Sequence, residues 1–157
     1  MERNTHLLVM SLDAQRFALP LSSVERVLRA VELTPLPESG PGVRGVVNVQ
    51  GRVMTAVSLR QRCRLPEREL QPSDQFVIVH TPRGPSALVV DRAEVMEYRG
   101  TDIVPAIEVL PGSDFVVGVL KREDGLILVC DVGALIALPE DPTRIASAVL
   151  SPQMVPP

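Results

Sequence analysis

The stretch that most constrains this chain is Gly45-Val46-Val47-Asn48-Val49-Gln50-Gly51-Arg52-Val53-Met54-Thr55-Ala56-Val57-Ser58-Leu59. Two runs rich in β-branched apolar residues flank a short polar point at Gln50-Gly51. Val packs well on a pleated surface, and Gly permits positive φ where a hairpin reverses. The stretch predicts a buried β-hairpin at the centre of a small all-β protein. It holds neither a nucleophile–base pair nor a set of metal ligands. A surface-presenting scaffold is therefore expected before a catalyst.

The 157 residues suffice for one domain or two small, tightly packed subdomains. Apolar residues are 45% of the chain and aromatics only 3%, with no Trp, so the core must be built from Val, Leu and Ile. That leaves no aromatic platform for stacking single-stranded nucleic acid. A net charge of −3 and a pI near 5.4 also argue against binding phosphate backbones. Cys63 and Cys130 read as reduced thiols, and with His6 and His80 they form no zinc spacing. The apolar run from Leu7 to Leu12 is too short for a signal-peptide core and is closed by Asp13. No apolar run approaches the ~18–20 residues that span a bilayer. The expectation is a soluble, cytoplasmic protein without cofactor or metal.

Along the chain, residues 7–20 read as a hairpin turning at Asp13-Ala14-Gln15-Arg16. Ser22 or Ser23 is expected to cap a short helical turn near Val24. Val27, Arg29, Val31 and Leu33 then lie on one side of a strand at period 2. Residues 34–42 form a Pro/Gly loop before the central hairpin. The charged run at 60–69 reads as a short helix and an exposed connection, with a subdomain boundary near 60–73. Strands follow at 75–80 and 87–90, another begins at Val95, and Ile103 to Gly112 is a second Pro-bearing loop. Phe115 to Leu120 and Leu126 to Cys130 form a second central hairpin. Asp131 caps a short helix over 132–138, a further helix is expected over 144–150, and 151–157 is expected to be a disordered tail. About ten short strands suggest two small barrels or a sandwich.

Gly40-Pro41-Gly42-Val43-Arg44-Gly45 matches a dinucleotide-binding glycine pattern, but it opens a strand instead of a helix and carries a proline inside the turn. It reads as a loop. Asp91, Asp114, Asp124 and Asp131 sit at strand ends and in turns, where Asp caps backbone N–H groups. A catalytic pair among Asp91, Asp114 and Asp131 is the competing enzyme reading. His6 and His80 read as surface histidines, and Cys130 as a small buried apolar residue. Cys63, among arginines, is expected to have a lowered pKa. Arg60-Gln61-Arg62-Cys63-Arg64 reads as a solvated basic face.

The chain resembles the CheW-like domain family, the adaptor fold of bacterial chemotaxis coupling proteins. The resemblance spans about residues 7–138. It rests on Phe17-Ala18-Leu19-Pro20-Leu21 followed by Val24 and Val27; on Pro35-Leu36-Pro37; on Gly45 to Gly51 leading to Val57-Ser58-Leu59; on Leu88-Val89-Val90-Asp91 with Val95; and on Leu126 to Asp131. It implies two intertwined five-stranded SH3-like barrels with short helical turns and a C-terminal helix. These form one discontinuous domain over 1–150. It implies no catalysis and no cofactor. The partners it implies are the regulatory domain of a histidine autokinase and the cytoplasmic tip of methyl-accepting chemoreceptors, with no nucleic acid and no membrane insertion. Carried over by position, Arg26, Val27, Arg29 and Val31 resemble the kinase-docking edge. Val24, Gly45, Asn48, Gln50, Gly51 and Val53 resemble the receptor-docking region.

Four departures stand out. The family usually has Arg where this chain has Gln50, Pro where it has Thr55, and an acidic or amide residue where it has Ser58. It often has Glu where Arg26 stands. Gln lacks the fixed charge and five-donor fork of Arg, and Arg26 reverses a charge at a contact position. Gln50, Thr55 and Ser58 are therefore expected to mark this protein's particular role. A small-ligand or oligonucleotide-binding barrel is the third reading, disfavoured by the acidic pI and scarce aromatics.

Overall fold

The computed structural model describes residues 4–36, 42–82, 84–109, 112 and 114–136. Eleven strands form two sheets among these residues. The first sheet has the order β8-β1-β2-β11-β10-β9, from β1 (Asn4–Leu12), β2 (Gln15–Pro20), β8 (Arg92–Arg99), β9 (Ile103–Pro105), β10 (Val116–Arg122) and β11 (Gly125–Cys130). The second has the order β3-β6-β7-β5-β4, from β3 (Val24–Arg29), β4 (Val43–Val49), β5 (Arg52–Ser58), β6 (Gln75–Thr81) and β7 (Gly84–Val90). The expected two-barrel all-β architecture is borne out. The sixth strand of the first sheet is the three-residue β9, which pairs with β10 inside the stretch read as a loop. Each sheet contains one parallel pairing, β2 with β11 and β5 with β7.

The continuous apolar runs of the sequence have a single physical reason: their strands are buried on both faces. In β1, Leu7 and Val9 point into the first sheet's own core, while Leu8, Met10 and Leu12 pack between the sheets. In β6, Phe76 and Ile78 fill the second sheet's interior, and Val77 and Val79 join the layer between sheets. In β7, Ala87 and Val89 face inward and Leu88 and Val90 face the other barrel. Each such Val, Leu, Ile, Met or Phe side chain contributes roughly 1.5–3 kcal/mol on burial. The shared middle layer therefore welds the barrels together.

The chain passes from one sheet to the other at residues 20–24 and returns at Asp91. The connection at 60–73 joins two strands of the same sheet, so the change of sheet does not fall there. It carries α1 (Leu59–Arg62), capped by Ser58. The short helical turn expected near Val24 comes earlier, as a 3-10 turn at Leu21–Ser23 with no side-chain cap, and Val24 already begins β3. A β-bulge between Val24 and Arg26 puts Val24 and Val27 on the same side of the strand, a spacing of three that imitates a helix face. The strand ends at Arg29, so the expected alternation stops short of Val31 and Leu33. Two further short helices are α2 (Ala106–Val109) and α3 (Val132–Ile136). Asp131 caps α3 as expected, its Oδ2 accepting from the Ala134 N–H at 2.9 Å. The helix expected over 144–150 and the tail at 151–157 lie outside the described residues.

Candidate docking surface

The central hairpin forms as read, β4 and β5 reversing at Gln50 (φ 50°) and Gly51 (φ 89°). Positive φ at both positions is the signature of the hairpin turn whose twist matches its strands. Its place differs from the expectation: β4 is an edge strand, not the centre of its sheet. The opposite edge is β3. Thr34, just beyond β3, pairs with Val46 of β4, their backbones exchanging hydrogen bonds of 2.9 and 2.8 Å. This closes the sheet into a cylinder.

Gly45 makes the closure possible. A Cβ there would lie 2.2 Å from the Thr34 carbonyl oxygen, and its φ is +143°. Gly45 is buried, so the position that the resemblance assigns to receptor docking works by letting two backbones meet.

The cylinder's rim is polar. Arg26 pairs with Ile78 and Leu28 with Phe76, so both lie on the barrel-interior side of β3. At the mouth, Arg26 Nη1 donates to Gln50 Oε1 at 2.5 Å. The two departures from the family pattern, one expected in each docking set, thus touch. Glu25 accepts from Arg52 Nη2 and also meets His80 Nε2 at 2.8 Å. Asn48 Oδ1 accepts from the Gly51 N–H at 2.8 Å and stiffens the turn. Val53 stands out at 68% exposed and Val31 at 41%. Val24 and Val27 are half-buried against the middle layer, and Arg29 is exposed on their side of β3. The carried-over residues therefore gather on β3, the segment after it and the β4–β5 turn, with Gly45 beneath the surface.

Two of the marked departures part company. Thr55 is half-exposed, but Ser58 is 1% exposed. Ser58 caps α1, accepts from the Gln61 N–H and donates to Glu67 Oε1 at 2.6 Å. Its role is internal.

The basic run at 60–64 is not a solvated face. Arg60 is 5% exposed. It donates to both carboxylate oxygens of Asp13, at 3.0 and 2.8 Å, and to both of Asp91, at 2.9 and 2.8 Å. Arg68 extends the cluster to Asp74 and Asp91, and the Asp13 N–H donates to Asp91 Oδ2 at 2.8 Å. Hydrogen bonding from Arg60 holds Asp13 below its usual pKa. Burial opposes ionisation of Asp91, but hydrogen bonds from the Asp13 N–H and Arg60 outweigh it and lower its pKa too. The cluster ties the β1–β2 turn, the connection at 59–74 and the crossing at Asp91 into one knot. Sequence reading missed it, and its one visible signal was an arginine directly after the apolar Leu59.

Arg62 lies over the Phe115 ring, 4.9 Å from its centroid, and donates to the carbonyls of Leu135 and Ala134. The expected lowering of the Cys63 pKa is overturned: burial pushes the thiol up to about 11. Burial pushes Cys130 up to about 12. Three of the four candidate aspartates have structural work, Asp91 in the knot, Asp124 against Arg16 at 2.8 Å and Asp131 at its helix cap, while Asp114 is exposed. Among the described residues no group of three or more His, Cys, Asp or Glu could hold a metal ion. Among them, too, no helix is long and apolar enough to cross a membrane.

Two barrels welded by a common apolar layer, one of them closed by a single bridge and rimmed by polar side chains, define an interaction module. The CheW-like domain model matches residues 6–140, and the chain belongs to that family. It is 25% identical over 133 residues to the chemotaxis protein CheW of Bacillus subtilis, covering 83% of this chain and 85% of that protein. It is 25% identical over 120 residues to CheW of Helicobacter pylori, covering 75% and 73%. The crystal structure of the scaffolding protein TtCheW from Thermoanaerobacter tengcongensis superposes with a TM-score of 0.78 at 23% identity, over 88% of this chain and 97% of that one.

Proposed function

We propose that this chain is a non-catalytic, cytoplasmic coupling adaptor of a chemotaxis or chemosensory complex. It joins the cytoplasmic tips of methyl-accepting chemoreceptors to the regulatory domain of a histidine autokinase. The observation that carries this reading is the family match across residues 6–140. The physical arrangement suits the role. Edge strand β3 offers Arg26, Val27 and Arg29, followed by Val31, as a kinase-docking edge, where an adjoining β-structure can dock along the strand. Val24, Asn48, Gln50, Gly51 and Val53, with Gly45 supporting them from below, form the receptor-docking region. Val53, exposed beside the polar turn, suits contact with an apolar anchor of a partner helix.

The test is co-sedimentation of the purified chain with receptor cytoplasmic fragments and with kinase regulatory domains. Capture of both supports the coupling role. A folded chain that captures neither sinks it.

A further inference from the structure

We propose that the partner surface docking at the β3 rim is acidic, placing a carboxylate against Arg26. The inference rests on the adaptor reading, in which that surface belongs to the kinase regulatory domain. Three observations carry it. Arg26 is exposed, and its side-chain acceptor among the described residues is the neutral amide of Gln50, which satisfies its geometry without neutralising its charge. Glu25, the carboxylate next to Arg26 in the chain, is already shared between Arg52 and His80. Among the described residues, no carboxylate pairs with Arg26 or Arg29. The third observation is the uneven charge of the two barrels. Residues 21–90, which build the second sheet, carry nine Arg against six Asp and Glu, a net of +3. Residues 4–20 and 91–136, which build the first, carry four Arg and one Lys against ten Asp and Glu, a net of −5. The acidic character of the whole chain therefore hides a basic barrel.

A guanidinium that no described carboxylate neutralises recognises a carboxylate on a partner's surface. A partner offering a cation there meets like-charge repulsion, which filters partners as well as attracting the right one. Opposite charge across the contact also speeds encounter and makes it salt-sensitive.

The experiment measures affinity of the full chain for purified kinase regulatory domains from the same organism at low and high NaCl. It compares wild type with Arg26→Gln, Arg26→Glu and Arg122→Glu. Arg122, exposed at the far end of β10, makes the last variant a control of equal charge change on the other barrel. The expected result is weakening on the order of tenfold or more for Arg26→Glu, with Arg26→Gln intermediate. Wild-type affinity falls with salt, and Arg122→Glu stays near wild type. Circular dichroism confirms folding of each variant. If Arg26→Glu binds as tightly as wild type, or tighter, the acidic-partner inference is overturned and the adaptor reading stands. If wild type binds neither the kinase domains nor receptor tips, the adaptor reading falls and takes the inference with it.

Discussion

Arg60 and Asp91 are joined by two hydrogen bonds from one guanidinium nitrogen, at 2.9 and 2.8 Å. One residue opens the connection between β5 and β6. The other is where the chain leaves the second sheet for the first. Because Asp13 of the β1–β2 turn grips the same guanidinium, a single side chain holds both barrels and the connection. A buried charge of this kind is tolerable only while its partners stay in place.

Removing one partner should therefore cost much more than a surface ion pair is worth. Asp91→Asn is expected to destabilise the chain by about 3 kcal/mol, read from urea unfolding. A loss under about 1 kcal/mol, the scale of an exposed pair, would show that the knot is not structural.

The same knot sets an acid limit. Asp13 and Asp91 both have folded pKa values below the ordinary 3.8. A depressed carboxylate adds stability that is present above its unfolded pKa and is lost as pH falls through the folded one. Urea midpoints measured from pH 7 downward should hold until near pH 4 and then drop. Arg60→Met should show a shallower drop over that acid range. An equal drop in both proteins would refute the assignment.

Gly45→Ala tests the closure of the second barrel. The new Cβ would fall 2.2 Å from the Thr34 oxygen, at a backbone angle that L residues avoid. A loss of more than about 2 kcal/mol is expected. The Val46 amide, now bonded to Thr34, should exchange hydrogen faster. Unchanged exchange at Val46 would mean that the bridge does not close the cylinder.

At the rim, Arg26→Glu with Gln50→Arg tests whether the two positions act as a pair. Gln50→Arg alone sets two guanidinium groups face to face and should destabilise slightly. Adding Arg26→Glu should recover that loss, with a coupling of about 0.2–1 kcal/mol, as for other exposed pairs. Strict additivity of the two changes would show that the residues do not communicate.

The thiols give a chemical check on burial. With pKa values pushed up to about 11 and about 12, neither Cys63 nor Cys130 should react with a thiol reagent at pH 8 while the chain is folded, since the thiolate is the nucleophile. Both should react after unfolding in urea. Rapid modification of the native protein would contradict the packing around α1 and β11.

Most of the strands, the three hairpins at 7–20, 45–59 and 115–130 and the cap at Asp131 were legible in the sequence, because these depend on local preference and period. Leu7 to Met10 and Phe76 to Val79 could be read as apolar runs, and the Gln50-Gly51 turn could be read from its glycine. The ordered segments from Phe17 to Asp131 also carried the family resemblance. Tertiary structure alone decided what the charges do. Only the preceding Leu59 sets Arg60 apart locally from Arg64, yet the first is locked between two aspartates and the second is exposed. Nothing local joins Arg26 to Gln50 across twenty-four positions, nor buries Ser58 while leaving Gln50 at the rim. An ion pair is a matter of distance in space, and spacing along the chain encodes that distance only within a helix turn or a hairpin.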